Sequence, residues 1–379
     1  MAQVTGGREG QLEHTGLRPG WTTGACATAA TKAAWTALLA GDFPDPVTIT
    51  LPKGRTPAFA LTAEARGDGW AEAAVTKDAG DDPDVTHGAV VRARVRHGAP
   101  GTGVVFRGGH GVGRVTLPGL PLDVGEPAIN PVPRQLMRQA VREVVGVAEG
   151  APDPDVAIEV SVDQGVEMAR HTWNPRIGIV DGLSILGTTG VVVPYSCAAW
   201  IDSIRRGIDV SEALGLPHVA GCTGSTSERV VTELYDLPTP ALLDMGDFVG
   251  AVLKYLRAHP RPRLTICGGF AKLSKLAAGH LDLHSGRSQV DQAHLASLAE
   301  QAGAPADLVA DLHEVNTGLE ALTRCQAAGV PLGDQVAYAA RRTALEVLQG
   351  APVQVDVVCI DRAGTIVGRT EPAGSVSGT

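Results

Sequence analysis

Between Val75 and Gly88 the chain reads VTKDAGDDPDVTHG, which crowds Asp78, Asp81, Asp82 and Asp84 beside His87, with Pro83 stiffening the turn. Carboxylates this close repel one another, which raises their proton affinity unless a cation, a nest of backbone N–H groups or a donor-rich ligand compensates. Such a loop can receive donors or positive charge, or it can supply a general base from Asp81, Asp82, Asp84 or His87. Its spacing does not fit an EF-hand. A solvated acidic loop accounts for the same residues equally well.

A second cluster, GHLDLHS (279–285), sets His280, Asp282 and His284 at alternate positions. On a strand all three would share a face, as metal ligands do; on a helix only His280 and His284 would meet. No motif elsewhere offers a further ligand, so no protein-bound metal is expected. Hydrogen bonding to ligand carboxylates is the better reading for His280, His284 and Ser285, flanked by Lys272, Lys275 and Arg287 as a basic patch in an acidic chain.

The third stretch, LRPGWTTGACATAATKAAWTALLA (17–40), reads as a helix of Ala and Thr. Thr22 or Thr23 can cap it, and Gly24 strips bulk from the first turn. Its alanines can pack closely on a sheet or helix. Alternatively the hydroxyls, free N–H groups and dipole of the first turn, at Thr22, Thr23 and Gly24, can receive a carboxylate. A proline-rich segment, LPGLPLDVGEPAINPVPRQ (117–135), is either a stiff connector or the rigid rim of a cleft into which Asn130 and Arg134 point.

These residues need elements to position them. Stretches at 46–52, 70–78, 89–96 and 113–122 are β-like, several of them alternating apolar and polar residues as half-buried strands do, and residues 133–148 carry helical spacing, so residues 17–174 read as an α+β domain. From Asn174 the rhythm changes. RIGIV (176–180), HVAGC (218–222), ALLDM (241–245) and RLTICGG (263–269) are short apolar runs separated by helical patterns, with helices at about 290–349 and a closing strand at 353–360. That alternation predicts an α/β domain over 175–370 with a mainly parallel, Rossmann-like sheet covered by helices on both faces. The linker is expected near WNPR, and residues 1–16 and 371–379 read as flexible ends.

In such a sheet ligands sit beyond the carboxyl ends of the strands. The loops there make Ser184, Gly187, Thr188, Thr189, Gly190, Asp244, Gly268 and Gly269 the candidates for holding a nucleotide-sized cofactor. Neither a GxGxxG fingerprint opening a helix nor a GxxxxGK[ST] loop is present, which counts against a nicotinamide dehydrogenase and a P-loop enzyme.

Composition narrows the partners. The 379 residues carry a formal net charge of −9 and only 4% aromatics, which argues against a nucleic-acid binder. No apolar run reaches membrane-spanning length and the first residues have no signal-like core, so a cytoplasmic chain with no membrane partner is expected. Six cysteines are scattered without a CxxC pair, consistent with reduced, mostly packed thiols.

Taken in order, GWTTGACATAATKAA, KDAGDDPDVTHG, GVGRVTLPGLPLDVGEPAINPVPR, NPRIGIVDGLSILGTTGVV and KLAAGHLDLHS closely resemble the cobalt-precorrin-5B C1-methyltransferase family of the early-cobalt, anaerobic route to cobalamin. The resemblance runs from Leu17 to Ser285. It implies transfer of a methyl group from S-adenosylmethionine to C1 of a ring-contracted cobalt corrinoid, giving cobalt-precorrin-6A, with cobalt entering only as part of the substrate. Against such a many-armed acidic macrocycle, the Thr22–Gly24 helix start, Asn130, Arg134, Lys272 and the His280–Ser285 segment become carboxylate receptors. S-adenosylmethionine is expected at the SILGTTG turn and at Asp244, Gly268 and Gly269. A homo-oligomer and transient contact with neighbouring pathway enzymes are compatible with this reading.

Overall fold

A computed structural model describes residues 16–148 and 150–370; the expected flexible ends therefore lie, Gly16 apart, outside the described residues. The chain divides into two compact units, the first ending at Cys197 and the second starting at Ala198. The boundary is thus some twenty residues later than the expected linker at Asn174–Arg176. The reason is strand pairing: Ile179–Val180 pairs antiparallel with Arg114–Val115, and Val191–Val192 pairs antiparallel with Gly20–Trp21. RIGIV is therefore not a strand of the parallel sheet.

The first unit is built on a five-stranded sheet in the order Ala63–Gly67, Trp70–Thr76, Val90–His97, Val156–Val162, Val104–Gly108, antiparallel except for the last pair. Alternation turns Ala71, Ala73 and Val75, and opposite them Val91, Ala93 and Val95, to one buried face. Helix α1 (Thr23–Ala40) lies on that face beside helix α2 (Pro131–Val145). Thr22 caps α1, its Oγ1 accepting from the Ala25 N–H at 3.2 Å. Alanine has the highest helix propensity and the shortest side chain, so α1 can sink against the small residues of the sheet; Ala25, Ala27, Ala29, Ala30, Ala33 and Ala34 are all fully buried.

The second unit holds another five-stranded sheet, ordered Leu242–Asp244, His218–Cys222, Arg263–Gly269, Gln354–Ile360, Ile366–Arg369. The first four run parallel and the last is antiparallel, so the sheet is mixed. Val219, Leu264, Ile266, Val355 and Val357 enter one core with the helices Val249–Ala258, Phe270–Ala277, Gln292–Gln301 and Leu332–Leu348, while Ala220, Cys222, Cys267, Val358 and Ile360 pack with helix Ser225–Tyr235. Strands buried on both sides read as near-continuous apolar runs, which is why they were legible. Eleven α-helices occur among the described residues, and the class is mixed α/β with one mixed antiparallel and one mainly parallel sheet.

One polar group interrupts this second core. Asp356, 3% exposed, accepts from Arg263 Nε, Tyr235 Oη and Thr265 Oγ1, each at 2.8 Å. Thr265 spends its proton on Asp356, so His218 Nε2, 2.7 Å from Thr265 Oγ1, is the donor to it. Burial, with the Arg263 charge adding to it, pushes the His218 imidazole down to about 4.

Candidate functional site

In the first unit three sequence-separated segments meet at the start of α1. The Thr22 N–H donates to Gly190 O at 3.0 Å and the Gly24 N–H to Leu186 O at 2.9 Å. Thr23 Oγ1 accepts from the Leu186 N–H at 3.0 Å and faces the carbonyls of Ser184 and Leu186 at 3.4 and 3.2 Å. The helix start expected to receive an anion is thus already filled by the chain's own 184–190 loop: Thr22 and Thr23 are 7% and 4% exposed. Gly187 permits this closeness, since at φ +133° a Cβ there would lie 2.3 Å from Thr22 Oγ1.

The proline-rich segment joins the same cluster. Asn130 receives no side-chain capping role in α2; its N–H and Nδ2 both donate to Ile185 O, at 3.0 and 3.3 Å. Arg134 turns back on its own loop, with Nε 2.7 Å from Ile129 O and Nη2 2.6 Å from Glu126 Oε2. Ser184 is buried and donates to Asn174 Oδ1 at 3.1 Å, and Thr189 Oγ1 donates to Val191 O at 3.2 Å. Leu186 and Thr188 remain exposed on the outer side of the turn.

The acidic loop lies against the same N-terminal segment. Arg18 forks onto Asp78, whose carboxyl also accepts from the Gly80 N–H at 2.9 Å; these bonds, the Arg18 hydrogen bond first, hold it at about 2. Asp81 Oδ2 accepts from the Arg18 N–H at 2.6 Å, while the Asp81 N–H returns a bond to Arg18 O at 3.0 Å. Asp82 Oδ1 accepts from the Tyr195 N–H at 2.7 Å. Asp84 takes Lys77 Nζ at 2.6 Å and both the N–H and hydroxyl of Thr86 at 2.7 Å. Burial alone would raise the Asp84 carboxyl, but the Lys77 charge and these hydrogen bonds hold it below the usual range. The repulsion anticipated from sequence is therefore relieved by donors from within the chain. Asp78 and Asp84 are weaker bases than free aspartate, opposite to what proton abstraction near neutral pH needs.

Two residues here were not singled out from sequence. Lys77, 2% exposed, is the cation beneath the loop. Its signal was available: Ala71, Ala73 and Val75 point inward, and Lys77 is the next residue in phase. Tyr195 is 68% exposed and adopts φ +55°, a backbone state uncommon outside glycine that Asp82 fastens from below. No periodicity announces such a residue.

His87 is exposed, and its ring is oriented by the backbone: Nδ1 accepts from the Ala79 N–H at 3.2 Å. The donor is itself fixed. The Trp21 N–H bonds to Asp78 O at 2.7 Å, and Gly80, at φ +68°, lies so close to Arg18 that a Cβ would come within 2.1 Å of its carbonyl oxygen.

The remaining candidates belong to the second unit. Lys272 Nζ lies 3.0 Å from Asp247 Oδ1 and 3.2 Å from Thr223 O, at the carboxyl ends of the parallel strands near Gly268, whose Cβ would meet Thr223. At Gly269 a Cβ would meet nothing within 4 Å, leaving bare, open backbone. Asp244 O accepts from Trp200 Nε1 at 2.9 Å. The GHLDLHS segment is a loop, neither strand nor helix. Asp282 is tied to Arg287 at 2.5 Å, His284 Nδ1 accepts from the Gly286 N–H at 3.1 Å, and His280 and Ser285 are exposed. Lys275 is buried and donates to Leu283 O at 2.9 Å, its ammonium pushed down by burial. The expected cofactor set therefore divides: 184–190 belongs to the first unit, and Asp244, Gly268 and Gly269 to the second. Burial pushes the Cys26 and Cys267 thiols up to about 12, so neither supplies a thiolate at neutral pH.

The architecture defines a two-unit α/β chain whose polar loops are held by an extensive set of internal donors. The family comparisons carry it further: a family model described as CbiD matches residues 10–194 and one described as CbiD, C-terminal domain, matches 282–371. A protein of Paramagnetospirillum magneticum named cobalt-precorrin-5B C(1)-methyltransferase is 60% identical over 352 residues, covering 93% of this chain and 98% of that one. One of the same name from Brucella anthropi is 58% identical over 357 residues, covering 94% and 96%. A crystal structure of a cobalamin biosynthesis protein (cbiD) from Archaeoglobus fulgidus matches with 27% identity and a TM-score of 0.37, over 72% of this chain and 83% of that one. The chain belongs to the CbiD family.

Proposed function

We propose that this chain is a C-methyltransferase that methylates C1 of cobalt-precorrin-5B in the building of the corrin ring. The observation that carries the reading is its relation, at about 60% identity and over nearly the full length of both chains, to proteins of that name. S-adenosylmethionine is the methyl donor, and the product is cobalt-precorrin-6A. When bound, the donor would supply an electrophilic methyl on a sulfonium: ring π electrons would form the new bond at C1 as the sulfur–methyl bonding pair stays on sulfur, and a proton would leave the macrocycle or be redistributed within it. The protein's part in such an in-line transfer is alignment and exclusion of water.

The second unit reads as the Rossmann-like carrier of the donor. Support comes from its carboxyl strand ends, where Gly269 leaves open backbone and Asp247 and Thr223 offer oxygens beside Lys272. The substrate is assigned to the first unit, at the exposed rim of the 184–190 turn and the acidic loop. There the interior of α1's start serves as scaffold, and the loop carboxylates act by holding Arg18 and Tyr195 in place. No protein ligand to cobalt is called for, because the metal arrives inside the ring.

A titration of the purified chain with S-adenosylhomocysteine and, separately, NADPH tests the class. Saturable binding of the first alone is expected. Binding of NADPH with no response to S-adenosylhomocysteine would point to a tetrapyrrole reductase, and silence to both while corrinoid still binds would point to a carrier.

A further inference from the structure

We infer that His87 serves the reaction as a hydrogen-bond donor through Nε2–H, receiving a carboxylate arm of the macrocycle, and does not take up a proton. The inference rests on the placing of substrate at the acidic loop. The Ala79 N–H points at His87 Nδ1 from 3.2 Å. A backbone N–H can only donate, so the neutral imidazole must leave Nδ1 as the acceptor and carry its proton on Nε2. A base would need a free lone pair, and in this tautomer the sole lone pair is already occupied.

The alternative tautomer has no place to go. Asp78 Oδ1 is 3.9 Å from Nδ1, beyond hydrogen-bond reach, and already accepts from Arg18 and from the Gly80 N–H. Moving the Ala79 N–H aside would displace the Ala79–Gly80 turn, which is clamped to Arg18 and Trp21 by the Asp81 N–H to Arg18 O and Trp21 N–H to Asp78 O bonds at 3.0 and 2.7 Å. The imidazole edge that bears Nε2–H belongs to an exposed side chain and has no hydrogen-bond partner among the described residues. An exposed N–H donor rigidly aimed by the main chain recognises an acceptor, and the substrate class offers carboxylates. The loop's own four carboxylates would repel such arms, so a donor on its surface is what makes contact there favourable.

Two measurements on the full chain test this. Long-range 1H–15N correlation of 15N-histidine-labelled protein, with the His87→Gln spectrum assigning the resonance, should show the Nε2–H tautomer for His87; an Nδ1–H tautomer overturns the inference whatever the loop does. Steady-state kinetics then separate the roles. His87→Ala should raise the KM for the corrinoid about tenfold with little change in kcat, and His87→Gln, whose amide N–H lies near the Nε2 position, should restore most of it. A fall in kcat at unchanged KM, without rescue by Gln, overturns the donor role. Unchanged kinetics in both variants beside a confirmed Nε2–H tautomer would instead remove the loop from the substrate site.

Discussion

Lys77 places its ammonium 2.6 Å from Asp84 with a side chain 2% exposed, so the pair stands or falls together. Removing only the cation leaves a partly buried carboxylate uncompensated, and Lys77→Met should cost about 2–4 kcal/mol in urea unfolding, with Asp84→Asn in the same chain recovering part of the loss. The loop's other carboxylates are anchors, so Asp81→Asn and Asp82→Asn should each keep turnover within about tenfold, short of the roughly 10²–10⁴-fold that loss of a general base costs. A larger drop in either, with substrate affinity intact, would restore that residue as the base. Acid should weaken the fold in a defined window. Asp78 titrates at about 2 when folded, against about 3.9 for a free aspartate. A depressed carboxyl contributes stability that is present above the unfolded value and lost as pH falls through the folded one. The unfolding midpoint should therefore fall between about pH 4 and pH 2, and Asp78→Asn should flatten that slope.

The start of α1 and the 184–190 turn behave as one element. Thr22→Ala removes the cap and should cost about 1 kcal/mol. Gly187→Ala should cost more, about 2–4 kcal/mol, from its φ of +133° and from the Cβ driven against Thr22. Because that clash is with the Thr22 side chain, its Cβ included, the second substitution should cost less in a Thr22→Gly background; strict additivity in chemical denaturation would contradict the contact. In the second sheet, His218 is the titrating member of the strand-end network around Asp356. The unfolded imidazole binds its proton near 6.5 and the folded one only near 4, so stability should decline as pH falls across that interval, and His218→Gln should remove the decline. Legibility followed periodicity. Trp70–Thr76, Val90–His97 and Gln354–Ile360 were readable because alternation or unbroken apolar runs mark them, as were the long helices. The two-residue pairings of Ile179–Val180 and Val191–Val192 carry no period, and they moved the unit boundary from the expected 174 to 197. Of the candidate segments, WTTG is joined directly to residues 186–190, whereas the DDPD carboxylates bond to Arg18, Tyr195, Lys77 and Thr86, partners that, Lys77 apart, no periodicity marks.

At the scale of the molecule, a chain of net charge −9 acting on an acidic macrocycle cannot rely on a broad positive field. It needs fixed donors at separate points, held by a scaffold that is already hydrogen-bonded. On the proposed assignment the first unit carries those donors, and relatives about 60% identical over nearly the whole chain bear the name of a C1-methyltransferase. The most direct test is incubation of the purified full chain with cobalt-precorrin-5B and S-adenosylmethionine carrying a 13C-labelled methyl. The account predicts one labelled methyl per corrinoid, bonded to C1 in the NMR spectrum, with S-adenosylhomocysteine released in equal amount. A label on any other ring carbon, or substrate recovered unmethylated with no S-adenosylhomocysteine formed, would contradict it.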